Sequence, residues 1–74
     1  MESMFGDSSF NKDISSWNVI NVNYMNRIFN GCTSLTKPNA EAIWNSWNVQ
    51  LQSGPRYHLY NSLLGLNIPG LILN

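Results

Sequence analysis

FNKDISSWNV, residues 10–19, spaces a phenylalanine, an isoleucine, a tryptophan and a valine with small polar residues, and carries no reactive group or ligand set. Phe10, Lys12 and Ile14 stand two apart, the period of a short strand. From Val19 the period changes. Val19, Val22, Met25, Ile28 and Phe29 recur every three to four residues, as on one face of a helical or 3₁₀-like return. Asn18 or Asn21 would cap its start. A strand, a turn and a helical return within about 24 residues make one coil of a solenoid. Its inward positions are Phe5, Phe10, Ile14, Trp17, Val19, Val22, Met25 and Phe29.

The unit recurs. Met4-Phe5 returns as Ile28-Phe29, 24 positions on, and the following GDSSF returns as NGCTSL, one residue longer. Trp17-Asn18-Val19 returns as Trp47-Asn48-Val49, 30 positions on, so the second copy carries an insertion, most simply PNAEA at 38–42. The flanks echo too, ISSWNV against WNSWNV. NAEAIWNSWNV, 39–49, reads as a short helix capped by Asn39, with Glu41 in its first turn and Ile43, Trp44 and Trp47 on one side. SGPR, 53–56, reads as a turn or linker. RYHLYNSLLGL, 56–66, reads as a helix with Tyr57, Tyr60, Leu63 and Leu64 on one face and Gly65 at its end. The expected fold is α+β: a short solenoid of about one and a half coils, short strands with helical returns, plus a helical C-terminal segment. Residues 1–49 form the repeat segment, and 50–74 a cap for its open end or a divergent tail.

The run MFGDSSFNKDISSWNVINVNYMNRIF, 4–29, resembles the BspA-like leucine-rich-repeat surface proteins, whose repeat of roughly 26 residues is common in mycoplasma lipoproteins. The matching positions are Met4-Phe5, Phe10-Asn11, Asp13-Ile14-Ser15, Trp17, and the Val19, Val22, Met25 return. IFNGCTSLTKP, 28–38, is similar to the related repeat with its GC-x-SL step. The resemblance covers 4–36 well and 43–49 weakly. It implies a curved leucine-rich-repeat solenoid, surface display, and adhesion or other protein–protein binding. It brings no catalytic residue.

Composition narrows the chemistry. Charged residues are 11% of 74, and the net charge is zero, which favours self-association. The four basic residues, Lys12, Arg27, Lys37 and Arg56, are scattered, so no nucleic-acid footprint is read. Twelve Asn and nine Ser supply the polar surface, and Asn suits turns because it tolerates the left-handed region and bonds its own backbone. No signal peptide or lipobox is read in MESMFGDSSF, so the cell-surface location that the resemblance suggests lacks an export signal. LLGLNIPGLILN is too short and interrupted to span a membrane, and Pro69-Gly70 marks a turn in it.

Cys32 and His58 are one of each, in separate segments, so neither a thiol nucleophile with its base nor a metal site is expected. Asp13 is read as tying a turn through backbone N–H groups rather than as a ligand carboxylate. Trp17 is read as packing between coils. Trp44, Trp47, Tyr57 and Tyr60 are the candidate partner-binding residues, because large aromatics anchor interfaces where they are exposed. The expected function is a non-catalytic protein–protein interaction or surface-adhesion module, with no cofactor. Two alternatives stand beside it: a structural subunit completed by self-association or a partner, and a fragment of a longer repeat protein.

Overall fold

Two helices build the C-terminal half, α1 at Lys37–Trp47 and α2 at Ser53–Leu64. They are seen in a computed structural model that describes residues 3–6 and 9–74. Pro38 lies in the first turn of α1, where its missing N–H costs nothing. The N-cap Thr36 has extended backbone and makes no side-chain cap. Asn11 substitutes from the first repeat: its Oδ1 accepts from Thr36 N–H and Thr36 Oγ1, both at 3.1 Å, and from Asn39 Nδ2 at 2.8 Å. α1 buries Ala40, Ile43, Trp44 and Trp47, a helical i, i+3, i+4, i+7 stripe. α2 buries Leu59, Ser62 and Leu63. Both helices start earlier than the sequence suggests, and SGPR is the first turn of α2 rather than a linker. On the expected α2 face, Leu63 is buried but Tyr57 and Leu64 are exposed.

The α+β leucine-rich-repeat solenoid is overturned: among the described residues there are two helices and no strand. Residues 9–14 have no regular secondary structure and no ladder, and 19–30 pass through turns rather than a helical return. The reason lies in the second copy. A strand needs a neighbour to satisfy its alternate N–H and C=O groups. The residues that correspond to 11–16 in the second copy lie in and beside the insertion, and they form α1. The partner for a strand at Phe10, Lys12 and Ile14 is therefore a helix, and the period-2 pattern has nothing to pair with. Side chains take up the backbone groups instead. Asp13 Oδ1 accepts from Ser15 N–H at 2.9 Å, and Asn18 Oδ1 from Ile20 N–H at 3.0 Å. Gln50 Oε1 accepts from Val19 N–H at 2.8 Å, and Gln50 Nε2 reaches Trp17 O at 3.4 Å.

The repeat is expressed as two stacked turns. Ser3 and Arg27, 24 apart, both have φ of 56°, an uncommon value for non-glycine residues. Gly6 N–H donates to Ser3 O, and its equivalent Asn30 N–H donates to Arg27 O. The first turn donates to the second through Ser3 N–H to Asn26 O and Phe5 N–H to Ile28 O, each 2.9 Å. The second turn donates onward to α2 through Phe29 N–H to Ser62 Oγ at 2.8 Å. A Cβ on Gly6 would stand 3.3 Å from Asn30 O, so glycine permits the close approach of the two turns. Equivalent rings lie over one another: Phe5 on Phe29 at 5.4 Å and 8°, and Trp17 on Trp47 at 6.3 Å and 24°.

The core runs from this aromatic stack into the helices and comprises Ile14, Val19, Met25, Ile28, Phe29, Cys32, Leu35, Ala40, Ile43, Trp44, Trp47, Leu51, Leu59 and Leu63. Phe5, Phe10 and Val22 pack against it half-buried. Ser62 is the one buried polar residue among those described; its hydroxyl accepts from Phe29 N–H and donates to Asn30 Oδ1 at 3.1 Å. Removing it strands a buried N–H, which costs about 1–3 kcal/mol. Ser62→Ala is therefore expected to lower unfolding stability by that amount in urea titration, whereas Asn61→Ala, exposed one residue away, should change it by less than about 0.5 kcal/mol.

Candidate functional site

α1 and α2 diverge around an aromatic cleft of about 230 Å³ lined by Trp44, Ser53, Arg56, Tyr57 and Tyr60. Tyr57 and Tyr60, three apart on α2, face Trp44 of α1. Trp44 is 5% exposed, and its ring meets Tyr60 edge-on at 5.4 Å and 64°. Its indole N–H donates to Asn74 O at 2.7 Å, so both edges of the ring are held. Tyr57 is 65% exposed, with His58 edge-on at 5.6 Å. Arg56 Nη2 donates to Leu51 O at 2.9 Å, which ties the exposed guanidinium to the chain between the helices. The site thus has a fixed floor, Trp44 and Tyr60, and an exposed wall, Tyr57, with a cation among the lining residues.

Three of the four candidate partner-binding residues, Trp44, Tyr57 and Tyr60, come together here. Trp47 does not: it is fully buried, and its indole N–H reaches Ile14 O at 3.3 Å in the core. Ser53 and Arg56 escaped the sequence reading because SGPR was taken as a turn. A helical period carried back to Ser53 places Ser53, Arg56, Tyr57 and Tyr60 three to four apart on one side. Trp17, expected between coils, is 42% exposed on its outer side.

The other polar candidates have ordinary partners. Cys32 is buried, and its thiol donates to Phe10 O at 3.2 Å. His58 Nε2 meets Asn26 Nδ2 at 3.4 Å. Asp13 is held below its usual acidity range by the Ser15 hydroxyl and then by the Ser15 N–H. Glu2 and Asp7 lie outside the described residues. Among the described residues no three His, Cys, Asp or Glu side chains group as a metal site, and no helix is long and apolar enough to cross a membrane. Two larger clefts, about 570 and 350 Å³, share Arg27 and Asn30; amides, hydroxyls and backbone line them, with His58 at the second.

A family model described as "Mycoplasma protein of unknown function, DUF285" matches residues 1–61. The chain belongs to this family. The match spans both repeat turns, α1 and most of α2, including every residue lining the aromatic cleft. It supports the mycoplasma side of the sequence resemblance at the level of a family without an assigned function. No curated protein and no solved structure matches the chain.

The C-terminal segment that closes over Trp44 depends on Glu41. Its Oε2 accepts Ile72 N–H at 2.8 Å, and its Oε1 pairs with Lys37 at 3.2 Å. The Ile72 N–H chiefly, and Lys37 after it, hold the carboxyl below its usual 4.5, against partial desolvation that raises it. A carboxylate depressed on folding stabilises the fold above its unfolded value, and that contribution is lost as pH falls through the folded one. The Ile72 amide resonance is expected to titrate with a midpoint below 4.5 and to lose that transition in Glu41→Gln. A midpoint at or above the usual value contradicts the assignment.

Proposed function

We propose that this chain is a non-catalytic protein-binding module, related to the BspA-like surface-adhesion proteins, and that its aromatic cleft receives one apolar side chain of a protein partner. The observation that carries the reading is Tyr57, a large ring 65% exposed beside the held rings of Trp44 and Tyr60. Holding such a ring in water gains nothing for the fold, whereas tyrosine, tryptophan and arginine are the usual anchors of interfaces. At about 230 Å³ the cleft falls below the roughly 300–1,000 Å³ of small-molecule and cofactor sites. It suits a single leucine- or phenylalanine-sized anchor. Arg56 adds a planar donor for a carbonyl or carboxylate next to that anchor. The motif at 4–29, by its resemblance to those proteins, motivates the adhesion class; the family match adds a mycoplasma family without an assigned function.

Selection of a displayed random-peptide library against the full chain tests the reading. Enriched peptides are expected to share an aromatic or aliphatic anchor and to lose at least tenfold in affinity against Tyr57→Ala. That variant should keep its stability within about 0.5 kcal/mol, because the ring is exposed. No enrichment, or affinity indifferent to Tyr57→Ala, defeats the proposal.

A further inference from the structure

We infer that Asn30-Gly31, in the second repeat turn, is a self-modifying site: the Gly31 backbone nitrogen closes on the Asn30 side chain, ammonia leaves, and water opens the resulting cyclic imide to aspartate and isoaspartate. It is the one Asn-Gly pair in a chain with twelve asparagines. Every other asparagine that has a residue after it precedes one bearing a Cβ, which crowds the attacking nitrogen. Gly31 has φ of 76°, and its N–H donates no hydrogen bond among the described residues. No bond must therefore break before that nitrogen is deprotonated. Asn30 and Gly31 are both exposed, so water reaches the imide. Asn45 and Asn61 differ: they precede serines inside α1 and α2, where the helical ladder holds the following N–H. A nucleophile already beside its target in the chain gains a large advantage over one in solution.

The Asn30 side chain is also held for attack. Ser62 Oγ takes the Phe29 N–H at 2.8 Å, so its own hydrogen is free to donate to Asn30 Oδ1 at 3.1 Å. That hydroxyl polarises the Asn30 amide carbonyl and stands where negative charge develops as the nitrogen adds to Cγ. Arg27 lines one cleft with Asn30 and Gly31 and the other with Asn30, His58 and Ser62, and no carboxylate lines either. The Gly31 N–Cγ bond forms as Cγ–Nδ2 breaks, and the Gly31 amide proton leaves with the amide as ammonia. Water then adds across one of the two imide C–N bonds, with nothing oxidised or reduced. Opening at Cγ gives aspartate, which keeps an acceptor for Ser62 and brings a carboxylate into the clefts that Arg27 lines. Opening at the backbone carbonyl gives isoaspartate, with the chain running through Cγ and one methylene longer. The added length falls within the turn closed by Cys32 N–H to Phe29 O. The site is separate from the aromatic cleft, and either can fail alone.

The test follows the full chain at neutral pH by peptide mapping and mass spectrometry that separates isoaspartate from aspartate. Asn30 is expected to convert at least tenfold faster than Asn45 or Asn61, to both products, and no slower than in the same chain unfolded in urea. Ser62→Ala should slow conversion at least threefold in the folded chain and leave the rate in urea unchanged. Ser62→Thr, which keeps the hydroxyl, should restore it. An Asn30 that converts in urea but stays intact in the folded chain overturns the inference. So does aspartate without isoaspartate, since water would then have attacked the side chain directly. A Ser62→Ala chain that stays folded and converts as fast as the unmodified one overturns the role given to Ser62.

Discussion

The Phe29 position joins both repeat turns and both helices. Its ring lies on Phe5 of the preceding turn at 5.4 Å and beside Trp47 of α1 at 6.3 Å. Its N–H is held by Ser62 of α2. One residue thus couples the first repeat turn, the second, and both helices. Full burial of such a side chain contributes about 1.5–3 kcal/mol, and edge or offset ring contacts add about 0.5–1.5 kcal/mol. In a chain of 74 residues, where little more than half of the unfolded surface is removed from water, that is a large share of the margin. α1, which carries Trp44 of the aromatic cleft, is anchored to this point through Trp47 one turn on.

The sequence showed the repeat, placed half of its eight inward positions in the core, and misread the backbone that carries them; Phe5, Phe10 and Val22 are half-buried and Trp17 is exposed. Ile14, Val19, Met25 and Phe29 are buried, since their spacing records which side of the chain is covered whatever the local conformation. Alternation at Phe10, Lys12 and Ile14 records the same covering but cannot say whether a neighbouring strand exists. That depended on the insertion near Pro38, which turns the second copy into a helix. The helices were visible through Trp44 and Trp47 and through Tyr57 and Tyr60. Their starts were not, because α1 is capped by Asn11, 25 residues before Thr36, and α2 by no side chain at all. The cleft was half visible: its rings are conspicuous in the sequence, but spacing puts Trp44 and Trp47 on one stripe and does not say that Trp47 meets Trp17 and Phe29 while Trp44 meets Tyr60.

The abundance of asparagine has a physical counterpart. Asn11, Asn18, Asn26 and Asn30 each hold a side-chain bond in the repeat region. At Asn11 and Asn18 the amide oxygen accepts a backbone N–H, of Thr36 and of Ile20, that a strand-based repeat would satisfy through its ladder. Amides serve as donor and acceptor at once, where an ionised side chain serves as only one of the two.

Gln50 carries that substitution furthest. Its Oε1 takes the Val19 N–H and its Nε2 reaches Trp17 O, so the side chain presents to the first repeat what a neighbouring peptide unit would. Backbone pairing is normally beyond the reach of point mutation, because every residue supplies the same groups. At this position it is encoded in a side chain, and a single codon change can erase or rewrite one rung. The boundary between repeat and helix is therefore a place where the architecture itself can evolve by substitution, without insertion or rearrangement of the chain.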